Sequence, residues 1–369
     1  MKEKKFLKIM FMAVVLYCTI VLSGKNVSAE NGATGISVNT PVYGSIEECN
    51  DSKWYSFSSS TRGYFYVSFK LTDVKSEATY SIKIYDADRK QLYFDCTESS
   101  SESFYISNAI GSTYYIELIK ENLSIGEYEL KVNFTADLNW ESEYNDTEAS
   151  ANLLTPNQTV TGTINNAGMY GYDEDVDVFK ISLKKDSIVN IDFGSSNVSN
   201  ARNFDLNLYN SKGVKKLLAN YSNESEHFSY YLAKGNYYIK VSTSNVSSYT
   251  PYVIKYTTKK ISSVKSPTIK NATIKKYSLW GTYLSQVKLS KNVKNVDTYE
   301  VKVSGQKNMK KPVLTTTADA SKNINNFVSN TVGSKKAYYV QLRPCKIDAF
   351  GKKIYTGKKS NVVKAKIVD

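Results

Sequence analysis

Two acidic stretches carry the most evident chemistry in this 369-residue sequence. The first is Glu141-Ser142-Glu143-Tyr144-Asn145-Asp146, directly after Trp140. The second is Asp173-Glu174-Asp175-Val176-Asp177, which runs into the apolar pair Val178-Phe179. Calcium is a hard cation that takes about 6–8 oxygen ligands from carboxylates, amides, carbonyls and water. Carboxylates crowded together repel one another unless a cation sits among them. Two separated clusters, each leading into a strand, could supply such a cation. By spacing alone they read as readily as a solvated acidic linker beside an Asp-rich turn.

Other reactive chemistry is sparse. His227 is the single histidine, in Glu224-Ser225-Glu226-His227-Phe228, and there are 4 cysteines. Most zinc sites and histidine-based triads cannot be assembled from that stock. No glycine-rich phosphate loop opens a helix. Paired carboxylates for glycoside hydrolysis stay open, because their separation is set in space. The expectation is a protein that is not an enzyme.

The elements that must position the acidic residues come as a repeat. Trp54-Tyr55-Ser56-Phe57 falls opposite Val178-Phe179-Lys180-Ile181, and Tyr80-Ser81-Ile82-Lys83-Ile84-Tyr85-Asp86 opposite Phe204-Asp205-Leu206-Asn207-Leu208-Tyr209-Asn210. Gly111-Ser112-Thr113-Tyr114-Tyr115-Ile116 recurs as Lys234-Gly235-Asn236-Tyr237-Tyr238-Ile239, and Tyr128-Glu129-Leu130-Lys131-Val132 as Tyr252-Val253-Ile254-Lys255-Tyr256. The offset stays near 124 residues throughout. Each block alternates apolar with polar residues between Gly, Asn, Asp or Ser, the pattern of half-buried antiparallel strands. With 30 Tyr and 14 Phe in the chain, aromatic richness also favours sheet. The expected fold is all-β, two tandem jelly-roll or β-sandwich domains over residues 30–136 and 137–258.

The order of these blocks resembles the bacterial pre-peptidase C-terminal domain family, which includes the collagen-binding domains of bacterial collagenases. The likeness is fuller in the second copy than in the first. It implies that Glu141, Glu143, Asn145 and Asp146 are linker ligands of a structural Ca2+, with Asp175 and Asp177 from the sheet and Asp173 and Thr163 as weaker additions. At the repeat offset Asp173 becomes Cys49, Asp175 becomes Asp51 and Asp177 becomes Lys53. The first copy is therefore expected to hold no calcium. The family also implies an aromatic strand face that grips an extracellular ligand, for which Tyr230, Tyr231, Tyr237, Tyr238, Tyr252 and Tyr256 are candidates, although alternation turns some of them inward.

From Lys259 the character changes. Residues 259–369 hold 24 Lys or Arg against 5 Asp or Glu, net +19, whereas the two repeats together are acidic. The run Tyr338-Tyr339-Val340-Gln341-Leu342-Arg343, followed by a hairpin at Phe350-Gly351-Lys352-Lys353 and by Ser360-Asn361-Val362-Val363, is similar to the last strands of a fibronectin type III module. That likeness implies a third, immunoglobulin-like sandwich over 259–369. A basic surface calls for an anionic partner or serves solubility.

The start of the chain reads as an export signal over residues 1–29. Lys2, Lys4, Lys5 and Lys8 precede an apolar run from Ile9 to Leu22, and Val27-Ser28-Ala29 ends it. No transmembrane anchor is expected in the mature chain. Export permits disulfides; Cys49 and Cys96 form a pair or stay as two thiols, and Cys345 is left over. Together these features predict a secreted, non-catalytic binding protein, at the cell surface or free. Its expected partner is an extracellular protein or polysaccharide, collagen-like or a cell-wall polymer, and not nucleic acid. Docking on the wall through the basic end, or accompanying a secreted protease, are the alternatives.

Overall fold

The computed structural model describes residues 32–73, 77–97, 100–102, 106–124, 126–164, 175–195, 204–222, 225–243, 251–276, 283–321, 323–328 and 337–368. It is all-β, with 27 strands and no helix among the described residues. Accordingly, none of these residues forms a helix long and apolar enough to cross a membrane.

Ten strands come first: β1 (Thr34–Gly35), β2 (Val42–Ser45), β3 (Ser52–Ser58), β4 (Gly63–Leu71), β5 (Tyr80–Tyr85), β6 (Gln91–Thr97), β7 (Ser100–Glu102), β8 (Ile106–Ser107), β9 (Thr113–Lys120) and β10 (Glu127–Ala136). They make two sheets, β1-β3-β9-β5-β6 and β2-β10-β4-β7, with β8 also paired to β4. Nine strands follow: β11 (Asn152–Leu153), β12 (Thr159–Gly162), β13 (Asp177–Leu183), β14 (Ser187–Ser195), β15 (Phe204–Asn210), β16 (Lys215–Ser222), β17 (Glu226–Leu232), β18 (Gly235–Thr243) and β19 (Tyr252–Lys260). Their sheets run β11-β13-β18-β15-β16 and β12-β19-β14-β17.

Strand for strand, the second pair of sheets follows the order of the first. The turns agree as well. The Asp86 carboxylate accepts the N–H groups of Asp88 and Lys90 at 2.9 and 2.8 Å. Asn210, 124 residues on, accepts those of Lys212 and Val214 at 2.9 and 3.1 Å. The left-handed position of that turn is Arg89 in one copy (φ 64°) and Gly213 in the other (φ 73°), where only glycine adopts the geometry without steric cost.

Compactness divides the chain otherwise than the sheets do. One unit runs to Ser60 and takes in Val67–Ser103 and Gly111–Asn133; the other comprises Thr61–Tyr66, Phe104–Ile110 and Phe134–Asp369. The acidic site and all of β11–β27 lie within the second unit. The core of β11–β19 alternates as the sequence pattern requires, with Phe179 and Ile181 on β13, Ile191 and Phe193 on β14, Leu206 and Leu208 on β15, and Ile239 and Val241 on β18 all buried. Burying such a side chain contributes about 1.5–3 kcal/mol, so this sheet pair is a firm platform for what sits at its end.

The last eight strands are β20 (Ile269–Lys276), β21 (Tyr283–Leu289), β22 (Thr298–Ser304), β23 (Pro312–Asp319), β24 (Asn323–Val328), β25 (Tyr338–Ile347), β26 (Lys353–Tyr355) and β27 (Val363–Val368). They join in the order β23-β22-β25-β27-β20-β21-β24, with β26 on β25. Ile274, Val287, Val301, Val340, Leu342 and Ala365 face a common core. The β25–β26 turn is another Asp turn: Asp348 accepts the N–H of Phe350 at 2.9 Å and of Lys352 at 2.8 Å, with Gly351 at φ 81°. It presents two residues to the preceding sheets. Phe350 stacks on Tyr237 with ring centroids 5.7 Å apart, and the Ala349 N–H donates to the Tyr231 carbonyl at 3.1 Å. The Lys346 ammonium lies 5.1 Å from the centroid of the Tyr231 ring.

Two points that the sequence leaves open are decided here. Cys49 is a free, half-buried thiol and not a disulfide partner of Cys96; Cys345 is also free, and buried. The tyrosines offered as a ligand face are mostly interior: Tyr237, Tyr238, Tyr252 and Tyr256 are buried, and Tyr230 and Tyr231 are half-buried. Alternation sends Tyr252 and Tyr256 to the same inner side of β19, while Tyr237 is covered by Phe350.

Candidate metal centre

The first acidic stretch is held against the β12 and β13 ends by its own backbone. Glu141 N–H donates to the Thr161 carbonyl and Thr161 N–H to the Asn139 carbonyl, both at 2.8 Å; Val178 N–H donates to the Asn145 carbonyl at 3.0 Å. The Asn152 side chain closes the loop, accepting from Ser142 N–H at 2.9 Å and donating to the Ser142 carbonyl at 2.8 Å. Ahead of it Trp140 is the anchor. Its indole N–H donates to Ser107 Oγ at 2.8 Å, and its ring lies 4.2 Å from that of Tyr64.

Within this frame Glu141 is fully buried and satisfied. One carboxylate oxygen accepts from Ser107 Oγ and from the Thr163 N–H, each at 2.7 Å. The other accepts from Asn145 Nδ2 at 3.2 Å and from the Tyr252 hydroxyl at 3.0 Å. The same hydroxyl lies 2.5 Å from Asp177 Oδ2. Gly162 makes room for this meeting, since a Cβ there would fall 2.5 Å from both the Glu141 oxygen and the Tyr252 hydroxyl. Thr163 thus serves through its N–H, and its hydroxyl pairs with Ser107 Oγ at 2.9 Å.

The next layer is different in kind. Both carboxylate oxygens of Glu143, Oδ1 of Asp177 and Oδ1 of Asn145 are buried without a hydrogen-bond partner. Buried polar oxygens are normally paired, and an unpaired buried carboxylate is costly. Glu141, Glu143 and Asp177 bring carboxylate oxygens within 4.8 Å of one another, and so do Glu143, Asp146 and Asp175. Glu143 is common to both groups, which makes it the centre of the cluster. Asp146 also accepts the Val176 N–H at 3.4 Å. Of the residues read from the sequence, Asp173 lies outside the described residues; the other six converge.

Electrostatics follow the geometry. Burial, then the charges of Asp175, Glu141 and Asp146, hold the Glu143 carboxyl well above the usual range. Burial, then Glu141, Asp175 and Glu143, do the same to Asp177. Glu141 is raised by burial, an effect its bonds from Ser107 and Thr163 partly offset. Tyr252 is driven well above 10 by burial and by its two carboxylate neighbours. The four orphaned oxygens on Glu143, Asn145 and Asp177, with the Asp146 and Asp175 carboxylates, give five side chains that donate oxygen of the hard type that calcium selects. The residues present therefore fit that ion. Bound there, it would supply positive charge to a buried anionic cluster and would tie the linker to the sheet.

At the matching place between β2 and β10 the described residues bring no group of three acidic side chains together. The Tyr128 hydroxyl, in the position of Tyr252, pairs with the Tyr55 hydroxyl at 2.6 Å. Lys53 and Asp51 are exposed.

Residues 175–243 match the family described as bacterial pre-peptidase C-terminal domain, so the chain carries one such domain there. The pre-peptidase C-terminal domain of collagenase from Bacillus anthracis is similar at 18% identity over 27% of this chain and 94% of its own, with a TM-score of 0.24. A beta-1,2-glucanase from Parabacteroides distasonis shares 11% over 50% of this chain and 28% of its own, TM-score 0.21. The PBSX exported protein XepA shares 10% over 61% and 88%, TM-score 0.21. No curated protein matches the chain.

Sequence reasoning missed Tyr252 as a partner of the acidic residues, along with Ser107 and Trp140. Tyr252 had a signal: it recurs as Tyr128 at the repeat offset, and each copy places a glycine beneath its hydroxyl, Gly162 and Gly44.

Proposed function

We propose that the protein is a secreted, non-catalytic modular binding protein in which a structural calcium ion braces the linker against the β11–β19 sandwich. The observation that carries this reading is the set of four buried, partnerless oxygens on Glu143, Asn145 and Asp177. The pre-peptidase C-terminal match over 175–243 supports an accessory role, as does the export pattern of residues 1–29. On this reading β1–β10 form a degenerate copy of the same domain that takes no calcium. Strands β20–β27 form a fibronectin type III-like module. The ligand is an extracellular protein or a surface polymer.

Calorimetric titration of calcium into the chain lacking residues 1–29, with thermal melts in calcium and in chelator, tests it. Saturable binding of one ion with a rise in melting temperature is expected. No heat and superimposable melts would leave the acidic cluster without its cation and sink the reading.

A further inference from the structure

We propose that the outer face of β27, β20 and β21 is a docking surface for a linear polyol-phosphate polymer, the class of chain that carries one phosphate per short run of hydroxyl-bearing carbons. The choice of partner rests on the reading of the protein as exported; the surface itself owes nothing to the calcium site. On these strands Ala365, Ala272, Ile274, Val287 and Leu289 face the core. The alternate positions bring Lys364, Lys366, Lys275 and Lys288 to solvent, all four exposed. Lys366 is in register with Thr273, which is in register with Gln286 on β21. Lys364 precedes Lys366 by one two-residue step, Lys275 follows Thr273 by another, and Lys288 lies opposite Asn271.

Charge balance singles out this face within a module that is basic throughout. Strands β20, β21, β24 and β27 contain no Asp or Glu. Among the described residues the acids of the module lie off these strands: Glu300 pairs with Lys353 at 3.0 Å and Lys302 at 3.5 Å, Asp297 pairs with Lys346, Asp348 holds the β25–β26 turn and Asp319 ends β23; Asp369 lies outside the described residues. The lysines around β22 and β25 are therefore partly neutralised in place, whereas no described acid pairs with Lys275, Lys288, Lys364 or Lys366.

Geometry narrows the ligand. Residues two apart on a strand are about 6.6 Å apart, and adjacent strands about 4.8 Å. Ammonium groups are thus presented at a spacing that suits a chain with one phosphate every few backbone atoms. Thr273, Gln286 and Asn271 lie between the lysines and can bond hydroxyls of such a chain. Binders of single-stranded nucleic acid add aromatic stacking platforms to their basic grooves; β20 and β27 have no aromatic residue.

The test uses the chain without residues 1–29 and synthetic poly(glycerol phosphate) as probe, at two salt concentrations. K275E/K288E/K364E/K366E is compared with K291E/K294E/K307E/K310E, which changes net charge equally at exposed loop positions of the same module. Melting curves verify that both variants are folded. The face variant should lose binding on the order of 100-fold at low salt, and the loop variant only a few-fold. Equal losses would mean net charge alone and would overturn the surface. Tighter binding of single-stranded DNA or of phosphatidylglycerol vesicles than of the polymer, lost in the face variant, would overturn the ligand. Chelator should leave polymer binding unchanged, so failure here and failure of the calcium reading are separate results.

Discussion

Replacing Asp177 by Asn tests the metal centre sharply, because its effect should change sign with the ion. The substitution keeps the volume and the acceptor that Tyr252 uses at 2.5 Å. It removes one buried negative charge beside Glu141 and Glu143. Without a cation that charge is a burden, since burial and like charges both disfavour it. In chelator D177N should therefore melt at or above the parent temperature. With calcium the balance inverts. An ion at 100 times its dissociation constant stabilises the folded state by about 2.7 kcal/mol. For a cooperative unit of this size each kcal/mol is worth about 2–4 °C, so the parent should gain roughly 5–10 °C. D177N, short of one anionic ligand, should keep only a small part of that gain. The assay is a four-way set of melts, parent and variant in calcium and in chelator. If D177N lowers the melting temperature equally in both conditions, Asp177 is a packing residue and the cation argument fails.

Three further outcomes are expected. Tyr252→Phe strands the Asp177 oxygen and leaves that of Glu141 with Asn145 Nδ2 alone, and should cost about 1–3 kcal/mol, read by urea denaturation, with the larger loss in chelator. In chelator the folded carboxyls of Glu143 and Asp177 sit well above their ordinary range, so the folded state holds protons that the unfolded state has released. Stability is then greatest at pH below the ordinary carboxyl value and falls as pH rises through the raised one; melts of the chelated protein from pH 4 upward should show that decline, and calcium should remove it. Phe350→Ala removes the stacking on Tyr237 and should cost on the order of 1–2 kcal/mol, detected as faster proteolysis in the stretch 261–268; unchanged cleavage would mean that the turn does not hold the two sheet systems together.

Much of this architecture was legible because it is periodic. Alternation in Tyr80–Tyr85 and in Phe204–Asn210, repeated at a fixed offset, forces matching strands in matching sheets. The acidic residues were legible because charge clustered beside a strand needs a cause. Tyr252 and Ser107 were not, since they reach Glu141 from 111 and 34 residues away and a neutral hydroxyl leaves no charge pattern. Which tyrosines point inward was not legible for a related reason. Exposure depends on what covers a strand, and Phe350, over Tyr237, comes from a turn more than a hundred residues later. Cys49 likewise carried no spacing signal that separates a thiol from a disulfide.

The Asp348–Gly351 turn has a consequence for how such a chain can be inherited. Modular proteins diversify by recombination at the segments between their modules, and that works where neighbours touch little. Here Phe350, Ala349 and Lys346 lean on Tyr237 and Tyr231. A crossover near residue 259 would give each half a partner lacking the complementary aromatic. Descendants that keep one of these modules should keep both, and an aromatic at position 350 should travel with Tyr237 as a linked pair.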